Sequence, residues 1–317
     1  MEIRQLRYAV AVAEHGHFGR AAAALGIAQP PLSRQIAALE SELDVRLFER
    51  GARGAVPTAA GAVFVDHARQ MIERLGAGVE DTRRAARGES GRLRIGFIGA
   101  ALVALLPSLL ARHRRVHPAV ELEMTELSSA RATAALHAGE LDVAVVRGAP
   151  RGRGADHLVS VPVATDRLVV ACRPGHPLDG QTRITVDRLR GYPLIAASSS
   201  EEPATTDRLH ELLDAPDRVT PVTRARDVHT ILGLAACGVG VGLLPSCVRV
   251  LRRPDVRILD VDPPLELPDL CFVFRRDDRS PVLRAFLDVT AEHCPGTGAQ
   301  LAALGVVDPS VAAPVRA

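Results

Sequence analysis

Apolar positions in the first 58 residues recur at helical intervals in three short stretches. Leu6, Val10 and Ala13 mark the first, which His15-Gly16-His17 ends. The second runs over 18–25, from Phe18 through Gly19, Arg20 and four alanines, small residues that let another helix approach closely. Gly26 then supplies the left-handed turn that a tight helix-to-helix corner needs. The third opens at Gln29-Pro30-Pro31, where proline is tolerated because the first amides of a helix lack internal partners. Leu32, Ile36, Leu39 and Leu43 follow at intervals of 4, 3 and 4 and predict one buried stripe. The opposite face carries Ser33, Arg34 and Ala37, while Glu40, Glu42 and Asp44 stand only at the far end. Residues 47–58 then read as strand, turn, strand, with Arg50 and Arg53 flanking Gly51 and Ala52.

From 59 to 90 the helical pattern is continuous. Thr58 is a good N-cap for it. Val65, Ala68, Ile72, Leu75, Val79, Thr82 and Ala86 alternate at 3 and 4, a heptad seam that predicts a pairing helix. Gly76 and Gly78 weaken that helix by about 1 kcal/mol each relative to alanine, so it needs support from the rest of a dimer. Docking on its own domain is the alternative.

Beyond residue 91 the period changes. Short apolar runs at 93–98, 120–125, 141–146, 168–172, 194–197, 239–244 and 270–274 read as strands. Helical patterns lie between several of them, at 102–115, 130–138, 228–236 and 281–293. Such alternation predicts parallel sheets with helices on both faces, and this many strands suggest two lobes. The first lobe spans about 91–161 and 268–295, because the last strand and helix can return to it, and the second about 162–267. The tail, 296–317, shows no periodicity and reads as loosely ordered.

Composition narrows the function classes. All 39 basic residues are Arg, and the net charge of +2 says little about nucleic acid, so the placement of the arginines must decide. Residues 1–60 hold seven Arg against six acids. The N-terminus lacks the long apolar run of a signal peptide, and no stretch has the roughly 18–20 apolar residues of a membrane helix; a cytoplasmic protein with no membrane partner is expected. Five scattered cysteines, never in a CxxC pair, fit a reduced compartment and neither a disulfide framework nor a zinc site. No cofactor or metal is implied. His113 and His117, four apart among arginines, read as a solvated helix face. Gly238-Val239-Gly240-Val241-Gly242 lies after a helix and before a strand, the reverse of the order a phosphate loop needs. Ser198-Ser199-Ser200 lacks a nucleophile-elbow context. No catalytic constellation is present, so an enzyme is not expected. A solute-binding transport protein would explain the C-terminal region but leave residues 1–90 without a role.

The third helix suits a major groove, since its first turns can meet base edges while its acids stay away from phosphate. The hairpin then becomes a wing whose Arg50 and Arg53 reach phosphates or a minor groove. Periodicity alone leaves a small helical packing domain as an equal alternative. The first 61 residues, however, closely resemble the N-terminal domain of LysR-type transcriptional regulators. The match is collinear and ungapped, and it includes the AQPPLSRQI core, the LFER strand and the T-x-A-G helix start. That resemblance implies a helix-turn-helix at about 18–37, with Gln29, Pro30, Ser33 and Arg34 at the DNA and Arg50 and Arg53 in the wing. Phe18, Arg20, Pro31, Gln35 and Thr58 complete the candidate set. Gly19 and Ala28 stand where the family often has Ser or Thr, and each helix thereby loses a capping hydroxyl. In this family the long helix is the dimer interface, setting two heads on an inverted-repeat operator in double-stranded DNA. Tetramers are common, and RNA polymerase is a further expected partner.

Less specifically, RLRIGFIGAALVALLP, HAGELDVAVVRG, AACGVGVGLLP and FRRDDRSPVLRAFLD resemble the family's effector domain. The fold implied for the whole is α/β multidomain: a winged helix-turn-helix, a long linker helix, and a two-lobed α/β effector domain like periplasmic binding proteins. Ligands in such sheets sit beyond the strand C-terminal ends. There this chain has Gly99 and Ala100 after the first strand, Ser128 and Ser129 after the second, and Arg147 after the third. The second lobe offers Pro203 and Thr205, and Asp227 opens the helix over 228–236. Ser129 and Thr205 are expected to donate hydrogen bonds. Arg147 is either a carboxylate anchor or the partner of Asp227 across the cleft. The family often has a hydroxyl where this chain has Gly99-Ala100-Ala101, yet a small organic acid remains the expected effector.

Overall fold

The computed structural model describes residues 1–51, 54–212 and 223–307, and the chain divides into two units, Met1–Arg84 and Ala85–Ala317. In the first, α1 (Ile3–His15), α2 (Phe18–Ala24) and α3 (Gln29–Leu43) are followed by the hairpin β1 (Phe48–Gly51) and β2 (Gly54–Pro57), then by α4 (Ala59–Ala86). α1 stops because Gly16 turns left-handed at φ 60°. Leu32, Ile36 and Leu39 are fully buried against Ala9, Val12, Phe18, Ala21, Leu47 and Phe48, whereas Leu43, fourth of the predicted stripe, is exposed. The hairpin is seated tightly. Gly54 donates no side chain, and a Cβ there would come within 2.2 Å of the Gly16 carbonyl oxygen. Ala55 N–H bonds that same oxygen at 2.8 Å.

Thr58 caps α4 as expected, its hydroxyl accepting Gly61 N–H at 2.9 Å and donating to Arg46 O at 2.7 Å. Along the heptad seam Val65 and Ala68 are buried within this unit. Leu75 and Val79, further on, remain 41% and 45% exposed.

The second unit opens with β3 (Ser90–Phe97), α5 (Gly99–Ala104), α6 (Leu106–Val116), β4 (Ala119–Glu126), α7 (Ser129–His137) and β5 (Val143–Arg147). Next come β6 (Leu158–Cys172), β7 (Arg183–Thr185), α8 (Val186–Leu189), β8 (Leu194–Ala197), α9 (Pro203–Leu212) and β9 (Thr223–Ala225). The chain continues with α10 (Val228–Ala236), β10 (Val241–Pro245), β11 (Arg257–Asp262), β12 (Glu266–Arg275), α11 (Pro281–His293) and α12 (Pro295–Ala303). Strand order is β4-β3-β5-β12-β6-β10-β8-β9, with β11 on β6 and β7 on β11. Parallel pairing holds for β3 with β4 and β5, and for β8 with β9 and β10. The strands joining the two lobes are antiparallel instead: β12 pairs β5 and β6, and β6 pairs β10 and β11. Helices cover both faces of each lobe, leaving separate apolar cores.

Four expectations need correction. The strand expected at 168–172 is the last third of the 15-residue β6; Asp166 and Arg167 interrupt its apolar pattern where it passes between the lobes. The helix expected at 102–115 is two, because Pro107 cannot donate within a continuous helix and so falls in the first turn of α6. His113 is not solvated but fully buried, its ring 5.3 Å from that of Phe286. The tail is not loose at its start. α12 packs on the first lobe with Leu301 and Val307 buried in its core, and Thr297 Oγ1 donates to Pro162 O at 2.9 Å. The glycine run before β10 serves close packing, since a Cβ on Gly240 would meet Pro193 O at 2.5 Å.

Candidate DNA interface and effector cleft

The first turn of α3 exposes Gln29, Pro30 and Pro31, with Arg34 exposed and Ser33 half-buried further along. Pro30 and Pro31 carry no amide hydrogen, so the first turn of α3 offers fewer backbone donors. Arg20, Arg34 and Arg50 form no ion pair among the described residues. Two of the nearby acids are occupied elsewhere. Glu40 Oε1 accepts the amides of Leu47 at 2.8 Å and Phe48 at 3.1 Å, pinning the hairpin to α3, and Glu42 pairs with the N-terminal ammonium.

Three of the candidates make contacts within the unit. Phe18 is buried, packs edge-on against Phe48 at 6.2 Å, and carries the Arg50 guanidinium 4.6 Å above its ring. Gln35 accepts a hydrogen bond from Gln5 at 3.3 Å, tying α3 to α1. Thr58 is the α4 cap already described. His17, rather than a hydroxyl residue, caps α2 by accepting Gly19 N–H at 3.0 Å, while Ala28 leaves α3 without a side-chain cap. Arg53 lies outside the described residues.

In the second unit a cavity of about 260 Å³ opens beyond the strand ends, between the lobes. Gly99, Ala100, Ser128, Arg147, Thr205 and Asp227 line it as expected; Ser129 and Pro203 do not. Arg147 does not pair with Asp227. Its guanidinium is buried against Asp166 at 3.2 Å and donates to Pro268 O at 3.0 Å. Asp166 also accepts from the amide and hydroxyl of Ser246, at 2.8 and 2.7 Å, which satisfies the buried pair. Asp227 instead caps α10, accepting Thr230 N–H at 2.8 Å and its hydroxyl at 3.0 Å.

Further charged groups line the cavity that periodicity could not single out: Glu126, Arg131, Glu201, Glu202 and Arg226. Arg131 lies 3.6 Å from Glu201. Arg226 is exposed and has no ion pair or hydrogen bond among the described residues. Glu202 is buried and its carboxyl is pushed up by burial, with Ser129 hydrogen bonds opposing that shift. A signal did exist, in the paired acids just ahead of Pro203 at a helix start. Cys247 sits beside the cavity with its thiol pushed up to about 12, first by burial and then by Asp166, so it is not a nucleophile. No helix among the described residues is long and apolar enough to cross a membrane.

Comparison with known proteins agrees with this division. Residues 3–62 match the family described as bacterial regulatory helix-turn-helix protein, lysR family, and residues 86–295 match the LysR substrate binding domain. The HTH-type transcriptional regulator TdfR of Cupriavidus pinatubonensis is 39% identical, over 91% of this chain and 97% of that protein. The regulator AlsR of Bacillus subtilis is 34% identical over 92% and 95%. Among solved structures, CbnR, a LysR family transcriptional regulator, superposes with a TM-score of 0.79 at 29% identity, covering 92% of this chain and all of that one. Full-length CbnR complexed with its target DNA gives 0.78 at the same identity, over 92% and 98%. A helix-turn-helix unit ahead of a substrate-binding unit, matched end to end by such relatives, makes this chain a member of the LysR family of DNA-binding, effector-responsive transcription regulators.

Proposed function

We propose that the chain reads an inverted-repeat operator as a homodimer or homotetramer and responds to a small organic acid held in the cleft. The observation that carries the DNA part is the exposed, acid-free face at the start of α3, where Arg34 stands without an ion partner among the described residues. Gln29, Ser33 and Arg34 read base edges, Pro30 and Pro31 set the entry of α3, and Arg20 and Arg50, with Arg53, hold phosphates. Phe18, Gln35 and Thr58 serve indirectly, by fixing the wing, α3 and α4. The exposed apolar residues Leu75 and Val79 on α4 support pairing through the heptad seam. CbnR has been solved with its target DNA, which favours the same mode here.

For the effector, Arg226 is the cation available for a carboxylate, with Thr205 and the backbone at Gly99 and Ala100 shaping the rest of the cavity. Binding there shifts the balance between assemblies that engage the operator, and RNA polymerase, differently. Two measurements test the reading. Protein should retard DNA from upstream of its own gene with a steep salt dependence, and S33A/R34A should lose affinity and selectivity while staying folded. Thermal-shift screening against small carboxylates should give stabilisation that R226A abolishes. An unchanged S33A/R34A, or a carboxylate response indifferent to R226A, overturns the corresponding half.

A further inference from the structure

The start of α7 is a place where an incoming acid could be bound, since its first amides point outward from the helix. None of those amides is free. Ser129 N–H donates to Glu202 Oε1 at 3.0 Å, and Ser129 Oγ donates to Glu202 Oε2 at 2.5 Å. Ala130 N–H is taken by the Glu201 carbonyl at 3.1 Å, and Arg131 N–H by Ser128 Oγ at 3.4 Å. Ser129 Oγ in turn accepts Arg147 N–H at 3.1 Å, so its one donor hydrogen is committed to Glu202. The acid that fills this position comes from the opposite lobe: Ser129 follows β4, whereas Glu202 lies between β8 and α9. It is 9% exposed, and the Arg147 charge acts on it.

We propose that Glu202 is the cleft's built-in anion. Its carboxylate fills the seat at the start of α7 that an effector's acid group would otherwise take, and it thereby limits the effector to one free acid group. The second clause rests on the organic-acid reading above. It follows from what remains in the cavity. Arg226 is one unpaired cation, and Arg131 is already beside Glu201. Glu126 is exposed and makes no ion pair among the described residues, with its Oε1 3.0 Å from where a Gly99 Cβ would stand. A second carboxylate on the ligand would meet Glu126 and Glu202 and be repelled.

Chemical rescue tests the seat directly. In full-length E202A the donors of Ser129 lose their acceptor, and Tm should fall by about 5 °C or more. Acetate should then raise the Tm of E202A saturably, well beyond its effect on wild type at matched ionic strength. E202A that is soluble only with acetate present supports the proposal as well. E202Q keeps the shape but not the charge, and it should also melt below wild type. An E202A chain that acetate does not help, or an E202Q chain that melts with wild type, overturns the proposal. Specificity is read with butyrate against succinate and hexanoate against adipate: any response of wild type should be to the monoacid, and E202A should extend it to the diacid. Equal responses of wild type to both overturn the one-acid limit. A panel silent on both chains counts against the organic-acid reading, while acetate rescue still decides the role of Glu202.

Discussion

Arg147 and Asp166 form a buried ion pair 3.2 Å apart, with side chains only 3% and 4% exposed, at the point where β5 ends and β6 passes from one lobe to the other. Removing one partner strands the other charge in a site that cannot hydrate it. Asp166→Ala should cost about 3–5 kcal/mol in denaturant unfolding, and Arg147→Ala should cost a similar amount. The double replacement Arg147→Met with Asp166→Leu should recover only part, because Ser246 loses both of its acceptor contacts to Asp166. Full recovery would show that the pair carries no structural demand beyond its own charges.

Arg50 stands over the ring of Phe18, which restricts the guanidinium before DNA arrives. Arg50→Ala should weaken operator and unrelated DNA to similar extents and reduce the log–log salt slope by about 1. Arg34→Ala should instead cost about 1–3 kcal/mol on the operator and relax selectivity at one position. Gel-shift titrations over a salt series separate the two behaviours, and identical profiles would reject the division of labour.

Unfolding should depend on pH through His113. Burial, with the neighbouring His117, lowers its pKa from 6.5 to about 4. The folded ring therefore stays neutral while the unfolded chain takes up a proton below 6.5, so stability is whole above that value and is lost as pH falls toward 4. Between about pH 7 and about pH 5 the loss should be about 2 kcal/mol. His113→Leu should flatten that slope; a slope unchanged in the variant would assign it to other groups.

Leu75 and Val79 expose apolar surface on α4 at heptad positions. Val79→Asp should shift the protein toward monomer in analytical ultracentrifugation and lower operator affinity at least tenfold. The thermal response of the second unit to ligand should persist. Retention of the full oligomer would move the interface elsewhere.

What was legible in the chain was local. The stripe Leu32, Ile36, Leu39 and the capping Thr58 follow from helical geometry within a few residues, and the cavity positions at Gly99, Ala100, Ser128, Thr205 and Asp227 follow from strand ends. What escaped depends on which strands become neighbours. Arg147 meets Asp166 because β12 lies between β5 and β6, and Ser129 meets Glu202 because the two lobes face each other; neither pairing has a period. α12 escaped for another reason. Its Gly- and Ala-rich segment carries little amphipathic contrast, and among its described residues Leu301 is the one large buried side chain.

The two lobes are stitched by strands that run through both. β6 pairs with β12 over 158–167 and with β10 and β11 over 168–172, without leaving the sheet. Any substitution that unpairs β6 therefore loosens both halves of the sheet together.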